Sequence, residues 1–144
     1  MSPFQFAIES NQDQIIQIFL SNQSCKLLGK IDINARSMKA IIGNEIEIFT
    51  KTPLFMSIEK QNIKAIKSLL ARTDIDVNEM SFFYSGENLI KQKAALHLAA
   101  EIGNLEIIKL LLEKKEININ IEDDQGKRPI DYSKNIEINQ LFLK

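Results

Sequence analysis

The pattern of apolar and polar residues is clearest between Ala94 and Glu113, where the chain reads AALHLAAEIGNLEIIKLLLE. It predicts a short apolar helix that stops at Gly103, followed by a second helix with apolar residues at helical spacing. Helices shorter than about 12 residues are marginal in water, so each must pack against its partner and against neighbouring units. The apolar face of the second helix is broad, which indicates burial on two sides. The segment therefore predicts one unit of a stacked repeat.

Three other segments follow the same pattern and begin at Ser2, Thr52 and Arg128. They read SPFQFAIESNQDQIIQIFL, TPLFMSIEKQNIKAIKSLL and, in shortened form, RPIDYSKNIEINQLFLK. Successive starts are 50, 42 and 34 residues apart, so the first two units carry insertions. An Asp/Asn–aliphatic–Asn triplet follows each of the first three helix pairs, at residues 32–34, 76–78 and 118–120. The extra residues therefore lie mostly in one type of loop.

Local chemistry supports these helix boundaries. Ser2-Pro3 and Thr52-Pro53 each place a capping hydroxyl before a proline, which suits the first turn of a helix. Gly103 is expected to end its helix with a positive φ. The same position is held in the two earlier units by Asn11 and Gln61, where we expect more strain.

The residues TPL at 52–54 and LHLAAEIGNLEIIKLLLE at 96–113 follow the motif T-P-L-H-x-A, which opens a helix pair at a spacing of about 33 residues in ankyrin repeats. The chain resembles an ankyrin-repeat protein over essentially its whole length. This resemblance implies an all-α fold, an ankyrin-repeat solenoid of stacked antiparallel helix pairs with β-hairpin-like finger loops, two of them enlarged. It also implies a non-enzymatic protein–protein interaction module.

On this basis we expect a single ankyrin-repeat domain over residues 1–144. Repeat 1 covers about 2–34 with an insertion at 35–51, and repeat 2 covers about 52–78 with an insertion at 79–93. Repeat 3 covers about 94–127, and a truncated C-terminal cap covers 128–144.

The two insertions carry strand signals. In the first, GNEIEIFT predicts a turn followed by a strand, whereas ARSMKAII fits either a short helix or a second strand. In the second, Ser85-Gly86 predicts a hairpin turn. Strand alternation then sends Phe82 and Tyr84 to one face and Phe83 to the other.

Composition narrows the class of partner. The 18 Lys and Arg against 19 Asp and Glu lack the positive charge of a nucleic-acid binder, and no apolar run reaches the length of a membrane span. We therefore expect neither nucleic acid nor membrane as a partner. The single cysteine, Cys25, cannot form an internal disulfide, which favours an intracellular protein of the cytoplasm, with the nucleus left open.

Catalytic chemistry finds little support in the sequence. The one histidine, His97, belongs to the repeat motif, and Cys25 lies far from it in the chain. The five glycines do not cluster into a phosphate-binding loop, and the Asp123-Asp124 pair indicates a solvated turn. We therefore expect no enzyme, no catalytic residue, no cofactor and no metal site. The resemblance implies that a motif threonine hydrogen-bonds His97; because Ala94 replaces it, the tautomer is left open.

The resemblance also implies that a partner contacts the finger tips and the concave ends of the first helices. The corresponding helix-end residues are Glu9, Glu59, Lys60, Glu101 and Ile102, and those of the last turn are Asp124 and Gln125. The three glutamates would form an acidic stripe that attracts a basic peptide, unless they are ordinary solvated carboxylates. The finger aromatics Phe82, Phe83 and Tyr84 would either contact the partner or form a small core between the fingers.

The partner is expected to be a protein, bound by a monomer or weak homo-oligomer. Two alternatives stand beside this interpretation. The chain could be a regulatory or inhibitory domain of, or a fragment from, a larger ankyrin-containing protein. It could also be a self-associating structural unit, in which the acidic turn at 116–127 meets the basic insertion at 21–51 of another copy.

Overall fold

The computed structural model describes residues 2–21, 32–43 and 46–144. Its helices are α1 (Pro3–Glu9), α2 (Asp13–Leu20), α3 (Pro53–Glu59), α4 (Ile63–Leu70), α5 (Ala95–Ile102), α6 (Leu105–Leu112), α7 (Pro129–Tyr132) and α8 (Ile136–Phe142). Its strands are β1 (Ser37–Ile42), β2 (Ile46–Lys51), β3 (Met80–Ser85) and β4 (Asn88–Ala94). Cys25 lies outside the described residues.

The helices stack as pairs. The first helices α1, α3, α5 and α7 contact one another in that order, and the second helices α2, α4, α6 and α8 form a parallel row. Each layer contributes fully buried aliphatic side chains to one continuous core, for example Ile16, Ile66, Ile108 and Ile138. Short helices are thus stabilised by burial between their neighbours, as the apolar pattern predicts.

The predicted caps form. Ser2 Oγ accepts a hydrogen bond from the Gln5 backbone N–H at 3.2 Å, and Gln5 Oε1 accepts one from the Ser2 N–H at 2.8 Å. Thr52 Oγ1 accepts from the Phe55 N–H at 3.1 Å. These bonds pair N–H groups that a helix start leaves without an intrahelical acceptor.

The turn inside each pair requires a positive φ. Gly103 has a φ of 78°, and the equivalent Gln61 and Asn11 have 50° and 56°. Side chains other than glycine rarely adopt this region, with asparagine the more tolerant of the two. The expected backbone strain is therefore greater at Gln61 than at Asn11.

The two enlarged fingers form one antiparallel sheet in the order β1-β2-β3-β4. The pairing of β2 with β3 joins the fingers, with Ile48 opposite Tyr84 and Phe49 opposite Phe83. The expected stacked helix pairs with hairpin fingers are present, but the class all-α is not exact, because the two fingers pair along their length into a four-stranded sheet. The segment ARSMKAII, for which helix and strand were both open, contains β1.

The sheet has two different faces. Phe83 lies on the face toward the first helices, called here the groove face, where its ring centroid is 5.3 Å from Phe49 and 6.2 Å from Phe55. Phe82 and Tyr84 lie on the opposite side, the back face, and stack with centroids 6.3 Å apart. The alternation predicted for the three aromatic residues is confirmed.

The recurring triplets connect neighbouring repeats by hydrogen bonds. In the first, the Asp32 carboxylate accepts from the Asn34 N–H at 3.0 Å, and Ile33 between them is buried. The Asn34 side chain reaches the next repeat, where Nδ2 donates to the Asp74 carbonyl and Oδ1 accepts from the Asp76 N–H, both at 2.7 Å. One asparagine thus pairs two main-chain groups of its neighbour, which explains why the triplet ends in this residue.

Asn78 makes the same bridge to the following repeat, and its replacement tests the contribution of the bridge. Its amide donates to the Glu116 carbonyl and accepts from the Asn118 N–H, each at 2.8 Å. We expect Asn78→Ala to lower the free energy of unfolding by about 1–2 kcal/mol in urea titrations, since two hydrogen bonds are lost at an exposed site. Asn120→Ala is the matched control, because the Asn120 side chain has no hydrogen-bond partner among the described residues. Equal losses in the two variants would contradict a role for the bridge.

Candidate functional site

A groove lies between the groove face of the sheet and the row of first helices. Its apolar wall is formed by Phe49 and Phe83 from the sheet and by Phe55 and Leu98 from the helices. Ile90 lies at its rim and is 55% exposed. Its widest part, beside β3 and β4, encloses ≈ 520 Å³. A groove of this size and composition can accept an apolar side chain of a partner.

Ion pairs cross the groove from the sheet to the helix ends. Lys51 Nζ lies 2.8 Å from Glu59 Oε1, and Lys93 Nζ lies 2.6 Å from Glu101 Oε2. Each lysine is the last or next-to-last residue of its strand, so the chain directs it back over the first helix.

The first repeat carries a weaker version of the same contact. Lys39 Nζ on β1 lies 3.8 Å from Glu9 Oε1, and both side chains are well exposed. All three glutamates at the concave helix ends therefore face a lysine. They form a row of ion pairs rather than the free acidic stripe that would attract a basic peptide.

The unpaired charges of the groove are mixed. Lys60, at the end of α3, and Lys91, on β4, are exposed and have no ion-pair partner within residues 2–21, 32–43 and 46–144. Glu47 on β2 is exposed and also lines the groove. The remaining free ammonium groups favour contact with carboxylates or carbonyl groups of a partner.

The other predicted residues are placed differently. Phe82 is half-buried on the back face, where the Arg36 guanidinium lies 4.9 Å from its ring centroid and also pairs with Glu79 at 2.8 Å. Asp124 is used within the fold, since its carboxylate accepts from the Gln92 N–H at 2.7 Å. Ile102 is half-buried and packs on the core, and Gln125 is exposed in the last turn. The structure therefore brings Phe83 together with Glu59, Glu101 and Tyr84. Lys60 lines the neighbouring part of the groove beside Glu9, and Phe82 and Gln125 do not line it.

The binding residues predicted from the sequence did not include Lys51, Lys93 or the groove aromatics Phe49 and Phe55. Lys51 and Lys93 stand immediately before their helix pairs, and Lys127 stands in the same position before the last one. In the second and third repeats a glutamate follows eight residues later. This recurrence was a signal for the ion pairs. Phe49 carried no comparable signal, because its position in the groove depends on the pairing of β2 with β3.

A polar cluster holds repeat 3 against the last repeat. His97 is buried; its Nδ1 accepts from the Ala94 N–H at 3.1 Å, and its Nε2–H donates to the Lys127 carbonyl at 2.9 Å. The neutral ring with the proton on Nε2 satisfies both bonds, which settles the tautomer. Burial lowers the pKa of His97 below its ordinary 6.5, although the hydrogen bond to Lys127 opposes this shift.

Asp123 is the acceptor at the centre of the same cluster. Its carboxylate accepts from the Lys127 N–H at 2.9 Å, from the Gln125 N–H at 2.8 Å and from the Tyr132 hydroxyl. Burial raises the pKa of Asp123, but these three hydrogen bonds outweigh burial and bring the pKa below its usual value. Burial, together with the bond to Asp123, raises the pKa of Tyr132. Lys93 Nζ lies 4.0 Å from the Tyr132 ring centroid, so the cluster also holds the lysine that pairs with Glu101.

Metal and membrane sites were sought in the same residues. The described part of the chain contains no group of three or more His, Cys, Asp or Glu side chains placed to hold a metal ion. None of its helices is long and apolar enough to cross a membrane.

Because His97 is buried, we expect the free energy of unfolding to depend on pH in mildly acidic solution. Between its lowered folded pKa and the ordinary 6.5, the unfolded chain binds a proton that the folded chain does not. The free energy of unfolding should therefore fall as the pH drops below 6.5, and should level off below the folded pKa. Asp123 acts in a separate window, since its contribution is retained above 3.8 and lost below that pH.

Urea titrations between about pH 8 and about pH 5 measure this slope. His97→Gln should flatten it, because the glutamine amide does not titrate. An NMR titration of the His97 ring in the unmutated protein provides an independent measurement. An unchanged slope in His97→Gln, or a His97 pKa at or above 6.5, would contradict the prediction.

Comparisons with known proteins agree with this geometry. Residues 82–144 match the family model described as ankyrin repeats (3 copies). The whole chain is similar in structure to the ankyrin repeat domain of Bcl-3, a unique member of the IkappaB protein family, with a TM-score of 0.73 and 16% sequence identity. The match covers 100% of this chain and 52% of that chain, so the protein spans about half the length of that relative. No curated protein matches it in sequence. The family match identifies ankyrin repeats in residues 82–144, and the structural similarity shows the ankyrin-repeat fold over the whole chain.

Proposed function

We propose that the protein is a non-enzymatic interaction module that binds a partner protein in the groove, through the concave helix ends and the adjoining finger sheet. Ankyrin repeats generally act as protein–protein interaction modules and are typically non-enzymatic. The observation that carries the proposal here is the groove itself. It joins an aromatic wall, formed by Phe49, Phe55 and Phe83, to a rim of exposed charged groups.

The groove is preorganised. Phe83 is held edge-on against Phe49, and Lys51 and Lys93 are held over the helix ends by Glu59 and Glu101. Ordering these side chains before binding reduces the entropy lost when a partner docks. An apolar anchor of the partner would enter beside Phe83, with polar groups of the partner meeting the rim.

The predicted binding residues take different roles in this proposal. Phe83 and Lys60 line the groove, where Lys60 offers a free ammonium group, whereas Ile102 packs on the core. Glu9, Glu59 and Glu101 orient the lysines opposite them. Tyr84 lines the groove as well, although its ring stacks on Phe82 on the back face. Phe82, Asp124 and Gln125 lie away from the groove.

The test uses rim residues whose replacement leaves the core intact. Ile90 is exposed at the rim, and Lys91 beside it is exposed. We expect Ile90→Asp with Lys91→Glu to reduce partner binding by about tenfold or more, because an unpaired carboxylate would be set against the apolar wall. The matched control is Ile136→Asp with Lys134→Glu, which makes the same chemical change on exposed residues of the last repeat.

The measurement combines photo-crosslinking with quantitative capture from a cell lysate. A photo-crosslinking amino acid is placed at Ile90 or at Ile136, and the rim variant or the control variant is added unlabelled as a competitor. The proposal predicts an adduct from the Ile90 site, competed by the control variant but not by the rim variant. An adduct that forms equally well at Ile136, or that both variants compete equally, would refute binding in the groove. Urea midpoints of the two variants verify that both are folded.

A further inference from the structure

The two outer edges of the finger sheet differ in whether their outward main-chain groups have hydrogen-bond partners. The direction of the hydrogen bonds along the strands identifies these outward groups. The Gly86 N–H donates to the Ile46 carbonyl at 2.8 Å, so Ile46 directs its main-chain groups toward β3. Main-chain groups alternate in direction along a strand, so Ile48 and Thr50 also point toward β3. The residues between them on β2 therefore point toward β1.

The register then fixes which groups of β1 point outward. Ser37, Lys39 and Ile41 lie opposite the β2 residues that point toward β1, and they pair with these. Met38 and Ala40 must direct their N–H and C=O groups to the outer edge of the sheet. Neither has a hydrogen-bond partner for these groups among the described residues.

The same alternation holds at the opposite edge, where the outward groups are occupied. On β4 it makes Gln92 and Ala94 the outward residues. The Gln92 N–H donates to the Asp124 carboxylate at 2.7 Å, and the Ala94 N–H donates to His97 Nδ1 at 3.1 Å. Groups of the following repeat and helix therefore cap the β4 edge. Within the described residues, the β1 edge has no equivalent cap.

We propose that the β1 edge receives an extended segment of a partner protein as a fifth strand, and that this segment alternates apolar with acidic residues. Unpaired N–H and C=O groups at a sheet edge form a template for such an addition. The outward main-chain groups of β1 lie outside the groove, and the two sites share the Lys39 side chain. Main-chain pairing at this edge does not depend on the function proposed above.

The side chains of β1 specify the chemistry of the added strand. On the back face, Met38 is 67% exposed and Ala40 is exposed, and this apolar surface continues to Ile46, which is 51% exposed. On the groove face, Lys39 carries the charge of the strand, with a side chain 61% exposed and a contact to Glu9 of only 3.8 Å. A neighbouring strand would thus place apolar residues beside Met38 and Ala40 and an acidic residue beside Lys39.

A second copy of β1 is a poorer fit. In the antiparallel register centred on Lys39, with Met38 opposite Ala40 of the second copy, Lys39 lies directly opposite Lys39 of that copy. Like charges in directly opposed positions destabilise a strand pair, and lysine on an edge strand discourages self-pairing. An acidic segment reverses the sign of this contact.

The probe is an acetylated, fluorescein-labelled peptide of about seven residues that alternates valine with glutamate. Its controls are the same peptide with lysine in place of glutamate and the same peptide with methylated main-chain nitrogens. Fluorescence anisotropy with the full chain should show binding of the glutamate peptide alone. Ala40→Pro should weaken that binding about tenfold or more, because it removes an outward N–H and blocks close approach. Lys39→Glu should weaken it about threefold to fivefold and should improve binding of the lysine peptide.

Amide hydrogen exchange provides a readout that does not depend on variants. The Met38 and Ala40 amides should exchange rapidly in the free protein and slow down when the glutamate peptide is added. The Lys39 and Ile41 amides, already paired with β2, should change little. Equal slowing at all four amides, or none, would overturn the assignment of the edge.

Four further outcomes would overturn the proposal. Binding of the methylated peptide would show that main-chain pairing is not used. Equal binding of both charged peptides, or an unchanged affinity in Ala40→Pro, would show that the β1 edge does not select the segment. A concentration-dependent dimer of the protein alone, abolished by Ala40→Pro, would make a second copy the occupant. The urea midpoint of Ala40→Pro separates loss of binding from loss of folding.

Discussion

The pairing of β2 with β3 is the contact on which the functional surfaces depend. It joins two fingers that belong to different repeats, and it sets Phe49 beside Phe83 on the side facing the helices. A lone two-stranded hairpin is only marginally stable in water, whereas four strands packed on a row of helices can keep their shape. The wall of the groove and the free edge at β1 are both consequences of this one pairing.

The ion pairs across the groove hold the lysine side chains in position more than they stabilise the fold. Lys51 and Glu59 are each partly exposed, and exposed pairs contribute roughly 0–1 kcal/mol at most. Lys93 is different, since only 3% of it is exposed. Burying its ammonium group is unfavourable unless partners replace the water, and Glu101 together with the Tyr132 ring supplies them. The last repeat therefore helps to hold one lysine of the groove in place.

Features that depend on residues close together in the chain could be predicted from the sequence. The caps at Ser2 and Thr52, the positive φ at Gly103 and the alternation along β3 each depend on residues only a few positions apart. The sheet could not be predicted in the same way. Its central register joins segments more than about thirty residues apart, and nothing in the local pattern of either finger specifies its partner.

The candidate site could be predicted only in part, and the reason is the same one that prevented prediction of the sheet. The helix-end glutamates could be located from the repeat alignment, but their charge was assigned without the lysines opposite them. Those lysines lie at the ends of strands in hairpins that were predicted, but the pairing of the two hairpins over the first helices was not predicted. The direction in which Lys51 points depends on the register of β2, so a prediction limited to the helices overestimated the negative potential of the groove.

Neighbouring repeats satisfy the first main-chain N–H of the same helix start with different groups. In the second repeat, the Thr52 hydroxyl accepts from Phe55, and the Thr52 N–H donates to Ser81 of the next finger at 3.2 Å. In the third, alanine offers no hydroxyl, and the Ala94 N–H is taken by His97 instead. That bond requires an unprotonated Nδ1, because a protonated ring would turn a second donor toward the same N–H. Phe55 of the second repeat has no ring nitrogen, whereas His97 at the same position of the third repeat accepts the N–H at the helix start. The start of α5 and the adjoining β4 edge therefore depend on the protonation of that ring.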